Sequence, residues 1–220
     1  MSDIIVRSFD PVALLGAADL APSIVNILQR HSAIFVAADG GVRHLAASGI
    51  MPAAIIGDMD SVSAEMRKIY ADVMHISDDQ NTTDFQKSVM CIDAPLIFAA
   101  GFLGGRLDHT VSVLNTMARD NILHVVLVSE DDVCFLARPS KTELSLPVGT
   151  RIGLLPLANA RVETQGLRWD IKDAAMSFDG FISTSNETEQ ENVTIHAMGR
   201  LLITLPIAAL DAVITAVRVR

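Results

Sequence analysis

The chain has 220 residues, half of them hydrophobic, and a formal net charge of −9. That is enough apolar material for one large packed domain or two small ones. The acidic balance, with no basic stripe, excludes a surface built for a nucleic-acid backbone, but it does not exclude a small anionic substrate, because a bound cation inverts the local sign.

Cys91 and Cys134 lie in apolar surroundings and read as buried, reduced thiols. The first seven residues show no basic region leading into an apolar run, and no apolar stretch approaches the roughly 20 residues of a membrane span. The expectation is therefore a cytoplasmic protein without a membrane partner.

In chain order, the first part alternates short apolar runs with helical patterns. Val12–Leu15, Ala33–Ala38, Ala53–Ile56, Val73–Ile76, Leu96–Ala100 and Leu123–Val128 read as buried strands. Pro22–Gln29, Val42–Ser48, Ala64–Ala71, a segment from Asp84 to Ile92, and Asp108–Ala118 read as helices. Thr83 and Gln86 have the spacing of a capping box for the fourth of these. Repeated βα units predict a parallel sheet with helices on both faces.

The character changes at Arg138-Pro139-Ser140. Beyond it the candidates are short strands: Thr142–Leu146, Arg151–Pro156, Arg161–Thr164, Ala175–Ser177, Gly180–Ser183, Asn192–Ala197 and Arg200–Leu205. Such spacing predicts a small β-sandwich or barrel, with the polar Asn186–Asn192 stretch as an exposed loop. The boundary divides the chain into an α/β domain, 1–137, and an all-β domain, 138–220.

Gly57-Asp58-Met59-Asp60-Ser61 follows an apolar run. Strand side chains alternate, so both carboxylates can point into the crevice at a strand's carboxyl end, where open α/β sheets bind ligands. Paired hard oxygens there suit Mg²⁺ on a phosphate. An isolated Asp-x-Asp more often caps a turn and a helix. Three more acids in similar settings, Asp39, Asp84 and Asp108, reverse that preference.

Gly40 and Gly41 let backbone N–H groups approach a phosphate, though strand-to-helix turns also use glycines for steric reasons. Asp84 suits a helix N-terminus electrostatically, and Lys87, one turn on, is either a phosphate ligand or a solvated lysine. Arg106 has the planar fork that fits phosphate oxygens; its bland alternative is a surface pair with Asp108. Trp169, the sole tryptophan, is a packing anchor or a platform for a flat cationic ring.

These motifs, taken in order, resemble the thiamin pyrophosphokinase family. The likeness runs through Ala38-Asp39-Gly40-Gly41, Gly57–Ser61, Asp79-Gln80, Thr83-Asp84-Phe85 and Gly104-Gly105-Arg106-Leu107-Asp108-His109. It continues through Gly166-Leu167-Arg168-Trp169 and Ser183-Thr184-Ser185-Asn186-Glu187. Met59 stands where the family often has an aromatic, and Gln86 where it commonly has Glu. The resemblance implies transfer of a pyrophosphoryl group from ATP to thiamin, giving thiamin diphosphate and AMP. It implies a homodimer, each chain with a Rossmann-like parallel-sheet nucleotide domain followed by a small all-β sandwich.

Carried over by motif, Asp58, Asp60 and Asp84 are the Mg²⁺ and phosphate-site acids. Asp39, Gln80, Thr83, Arg106 and Asp108 are further ATP or thiamin contacts, joined by Gly40, Gly41 and Lys87 on the ATP side. Trp169, Ser185 and Asn186 form the thiamin group. The proton acceptor for the thiamin hydroxyl is Asp60 or Asp108. The competing readings are a pyrophosphokinase for another heterocyclic alcohol such as a hydroxymethyl pterin, a metal-dependent glycosyltransferase, and a non-catalytic nucleotide or thiamin sensor.

Overall fold

The computed structural model describes residues 3–77, 79, 81–120 and 122–217. Gln80, expected at the ATP site, lies outside them. In chain order the elements are β1 (Val6–Arg7), β2 (Val12–Leu15), α1 (Pro22–Gln29), β3 (Ile34–Ala38), α2 (Val42–Ala47), β4 (Ala54–Gly57) and α3 (Ala64–Ile69). Next come β5 (Met74–Ile76), α4 (Asp84–Met90), β6 (Ile92–Asp93), β7 (Ile97–Ala100), α5 (Leu107–Asp120) and β8 (Val125–Val128). The remainder is β9 (Asp132–Leu136), β10 (Thr142–Ser145), β11 (Arg151–Gln165), β12 (Ala174–Met176), β13 (Ser183–Glu187), β14 (Asn192–Pro206) and α6 (Leu210–Val217).

The chain forms two compact units, Met1–Val113 with Leu127–Glu130, and Leu114–Val126 with Asp131–Arg220. In the first, β7-β2-β3-β4-β5 pair in parallel. β2, β4 and β7 are buried at every position, the signature of strands covered on both faces. Leu14, Leu15, Ile55, Ile56 and Phe98 are among the largest wholly buried side chains, each stabilising by about 1.5–3 kcal/mol relative to exposure. The parallel register places Ala38 opposite Ile56 and Gly57 opposite Ile76, so the carboxyl ends of β3, β4 and β5 share one edge.

The second unit is antiparallel. Its long strands β11 and β14 pair with each other, and the register shifts between Pro156 and Ala160. On one side of the shift β13 joins β11 and β9 joins β14; on the other, β12 joins β11 and β10 joins β14. One bent strand pair thus serves two groups of partners.

Several expectations are corrected. Over the whole chain the pairing is mixed and largely antiparallel, so the Rossmann-like parallel-sheet description does not hold; what exists is an α/β protein with a large, mainly β portion. The reason is length: the parallel strands have two to five residues, whereas β11 and β14 have 15 each. The helix from Asp84 ends at Met90, because Ile92 pairs with Val6 in a parallel β1–β6 ladder. Ser183–Glu187 is a strand with Asn186 buried inside it, so the polar stretch does not begin as an exposed loop. Helix α6 was not anticipated; Leu210, Val213, Ile214 and Val217 give it a buried face at helical spacing.

Both cysteines are free and buried, as expected. Among the described residues no helix is long and apolar enough to cross a membrane.

Candidate active site

The shared carboxyl edge of β3 and β4 carries the acids. Asp39 follows β3 directly and takes φ +44°, a left-handed conformation that Asp tolerates better than most residues. Its neighbour across the ladder is Gly57, where a Cβ would stand 2.9 Å from the Asp39 Cβ, so glycine makes room for the carboxylate. Met59 also has positive φ, +66°, and is fully buried; it turns the chain so that Asp58 and Asp60 flank it. Asp58 accepts a hydrogen bond from the Asp60 N–H (3.1 Å), and Ser61 donates to Asp60 (2.8 Å). Arg67 braces this turn by donating to the Val62 carbonyl (2.9 Å) and to that of Met59.

Carboxylate oxygens of Asp39, Asp58 and Asp60 come within 4.8 Å of one another. Asp39 is only 4% exposed, and its Oδ1 has no hydrogen-bond partner. A buried carboxylate oxygen without a donor is costly unless a cation completes it. An all-oxygen, triply acidic set of this kind fits a hard divalent cation.

Asp84 lies outside that cluster but within its field. Burial raises its pKa first; Lys87 pulls the other way, and Asp39 and Asp58 push it further up. Asp84 opens α4, whose cap is Thr83, accepting from the Gln86 N–H at 3.3 Å. Lys87 is 8% exposed, 3.6 Å from the Asp84 carboxylate, and donates to the Ser77 carbonyl (3.3 Å). It is therefore not a solvated lysine: it anchors Asp84. Gly40 and Gly41 are buried in the short 3₁₀ turn after Asp39. A Cβ on Gly41 would fall on the Leu15 carbonyl, so the steric reading holds there.

Arg106 and Asp108 form an exposed pair at 2.6 Å and 3.1 Å. The guanidinium holds the Asp108 carboxyl below its ordinary range. The carboxylate cluster does not include them. Asp79, ahead of α4, is likewise held low, by the Thr82 hydroxyl (2.7 Å) and the Asn81 N–H (2.9 Å).

The second unit contains an open cleft of about 610 Å³ whose lining includes Trp169, Lys172, Phe181, Ile182, Ser185 and Asn186. Trp169 is 57% exposed, so it is not a core anchor. Asn186, 2% exposed, spends its amide on the backbone: it accepts from the N–H of Trp169 (3.3 Å) and Glu187 (2.9 Å) and donates to the Trp169 carbonyl (2.9 Å). It positions the tryptophan. Asp170 ties the same turn by accepting from Thr164 (3.0 Å), Leu167 (3.0 Å) and Gly166 (3.3 Å). Ser185 has φ +58° and is exposed beside the cleft. Sequence reasoning missed Asp170, Lys172, Phe181 and Ile182, which come together through the contacts of Leu167, Arg168 and Trp169 with residues 186–188, and it placed Asp39 with the ATP contacts and not with the metal acids Asp58 and Asp60.

These features define an α/β protein with a cluster of three carboxylates in one unit and an open aromatic cleft in the other. Two family models match it: thiamin pyrophosphokinase, catalytic domain, over residues 25–127, and thiamin pyrophosphokinase, vitamin B1 binding domain, over 141–202. Thiamine pyrophosphokinase 1 of Arabidopsis thaliana is 30% identical, over 89% of this chain and 86% of that protein. The rice (Oryza sativa subsp. japonica) protein of the same name is 36% identical, over 70% of this chain and 66% of its own. Among solved structures, thiamin pyrophosphokinase from Candida albicans superposes with a TM-score of 0.79 at 20% identity, covering 92% of this chain and 93% of that one, a likeness of fold. The chain belongs to the thiamin pyrophosphokinase family, a family of enzymes.

Proposed function

We propose that this protein transfers the pyrophosphoryl group of ATP to the hydroxyethyl arm of thiamin, giving thiamin diphosphate and AMP. The observation that carries the chemistry is the partnerless Asp39 oxygen beside Asp58 and Asp60. Family membership supplies the substrates.

In this reading residues 1–137 handle ATP, and 138–220 form a sandwich domain that binds thiamin and takes part in a homodimer. Asp39, Asp58 and Asp60 would hold Mg²⁺, with Asp84 as a further acid of the set. Bound there, the ion would supply positive charge to offset that of the phosphates.

The thiamin hydroxyl oxygen bonds to the β-phosphorus, the bond from that phosphorus to the α,β-bridging oxygen breaks, and AMP departs with that oxygen. The hydroxyl proton passes to an acid. The acceptor is Asp60 or Asp108, the latter released when Arg106 turns to the phosphates. Arg106 offers its charge to the phosphates, exchanging Asp108 for them. Gly40, Gln80 and Thr83 contact ATP, while Gly41 serves the close packing against Leu15; the Thr83 hydroxyl keeps its proton free to donate while its oxygen caps α4. Lys87 acts through Asp84. Trp169 stacks on the thiamin ring, Ser185 contacts it, and Asn186 fixes the indole's backbone. The proposed setting is the cytoplasm, which suits two free thiols.

The test is direct: incubate protein, ATP, Mg²⁺ and thiamin and resolve the products. Thiamin diphosphate with AMP is expected. ADP in place of AMP means single phosphoryl transfer, and no turnover alongside tight thiamin binding means a sensor; either refutes the reading.

A further inference from the structure

Resting on that reading of the cleft, we propose that Glu187 sets the preference of the Trp169 platform for a cationic ring by neutralising Arg168, which lies over the indole. Glu187 acts through Arg168, so it is a positioning and charge-setting residue and touches no substrate.

The Arg168 guanidinium carbon lies 5.0 Å from the centre of the Trp169 ring. That is within the distance at which a cation is attracted to an aromatic face. The cleft is lined by Trp169 and by residues 170–172, 174 and 181–186, and Arg168 is not among them. The guanidinium thus covers part of the indole without lining the cleft, and in this proposal the ligand uses the other face of the ring. As a planar stop it restrains a side chain that is more than half exposed.

The same contact carries an electrostatic penalty. A cation on one face draws the ring's electron density toward itself and repels a second cation approaching the other face. A positively charged heterocycle would meet both effects. Glu187 removes them: its carboxylate pairs with the Arg168 guanidinium, and the Glu187 carbonyl accepts the Arg168 N–H at 2.9 Å, so side chain and backbone hold the pair in register. The Glu187 N–H is in turn held by Asn186, the residue that fixes the Trp169 backbone. Ring, backing cation and neutralising anion thus belong to one hydrogen-bonded unit spanning the turn after β11 and the end of β13. Lys172 already lines the cleft, so a second uncompensated cation would tilt it toward anions.

Trp169 is the only tryptophan, so its fluorescence reports on the ring directly. The experiment titrates thiamin into the full-length wild type, Glu187→Gln, Arg168→Met and the double variant, at low and high salt. Glu187→Gln should weaken thiamin binding roughly 3- to 10-fold at low salt, the size expected for one unscreened charge beyond a ring thickness. The loss should shrink at high salt. In turnover assays it should appear in KM, with kcat within about twofold. Arg168→Met should bind thiamin as well as the wild type. The double variant should recover wild-type affinity within about twofold, because no lone charge remains behind the ring.

Additive losses in the double variant, or a loss from Glu187→Gln that ignores salt, would make Glu187 merely structural and overturn the proposal. A wild-type signal that does not respond to thiamin is a separate outcome; it removes the ring site itself, and this inference with it.

Discussion

Asp39→Asn tests the acidic site with little disturbance elsewhere. Asn tolerates the left-handed backbone at this position (φ +44°), so the substitution chiefly removes charge. The oxygens of Asp39, Asp58 and Asp60 lie within 4.8 Å of one another. At that separation two carboxylates repel by about 1 kcal/mol even at the dielectric constant of water, and by more where the site is drier. Asp39 takes part in two such pairs, so metal-free Asp39→Asn should be more stable than the wild type by roughly 2 kcal/mol. For a chain of this size that raises Tm by about 4–8 °C. The same charge is lost to a bound cation, so Mg²⁺ affinity should fall about 30-fold or more. Thermal denaturation in EDTA and along a Mg²⁺ titration reads both effects. The two curves should cross: the variant melts higher without metal, and the wild type gains more as Mg²⁺ is added. A variant that melts no higher in EDTA, yet keeps the wild-type Mg²⁺ midpoint, would refute a cation site built on Asp39.

Gly41→Ala should destabilise by about 1–3 kcal/mol or prevent folding, since the new methyl group meets the Leu15 carbonyl; urea melts measure it. Asn186→Ala should cost about 2–3 kcal/mol by stripping partners from the backbone of Trp169 and Glu187, and should red-shift and broaden the Trp169 emission. Arg161 holds the Asp173 carboxyl below its ordinary 3.8, so the pair's stabilisation is present above that value and is lost as pH falls through the depressed one. Arg161→Gln should therefore melt lower than wild type at neutral pH and converge with it in acid. Burial pushes the Cys134 thiol up to about 12 and raises that of Cys91, so neither should react with a thiol reagent at pH 8 until the protein is unfolded.

The parallel strands were legible because burial on both faces writes them as unbroken apolar runs, as in Val12–Leu15 and Ile97–Ala100. Asp58 and Asp60 were legible as a motif. Asp39 was visible as an acid after a strand, but its place in the cluster depends on Ala38 pairing with Ile56, a contact no local window contains. In the second half, β11 and β14 each read as two short strands, because the register shift near residues 157–159 breaks the alternation of one bent strand. Asn186 read as loop because it is polar. Its burial is possible only because Trp169 and Glu187 supply backbone partners, and hydropathy cannot see those.

The groups assigned to chemistry are each placed by a neighbour that itself has no part in the chemistry. Trp169 is set by Asn186 and Asp170, Asp84 by Lys87, and Asp39 by the space that Gly57 leaves. This division has a kinetic consequence. Substituting an outer group such as Trp169 removes one interaction with substrate and leaves the fold intact. Substituting a holder such as Asn186 or Lys87 lowers stability and function together, because a buried partner is left unsatisfied. Plotting activity against Tm across both sets should therefore give two populations, with outer-group variants losing activity at constant Tm and holder variants losing the two in proportion.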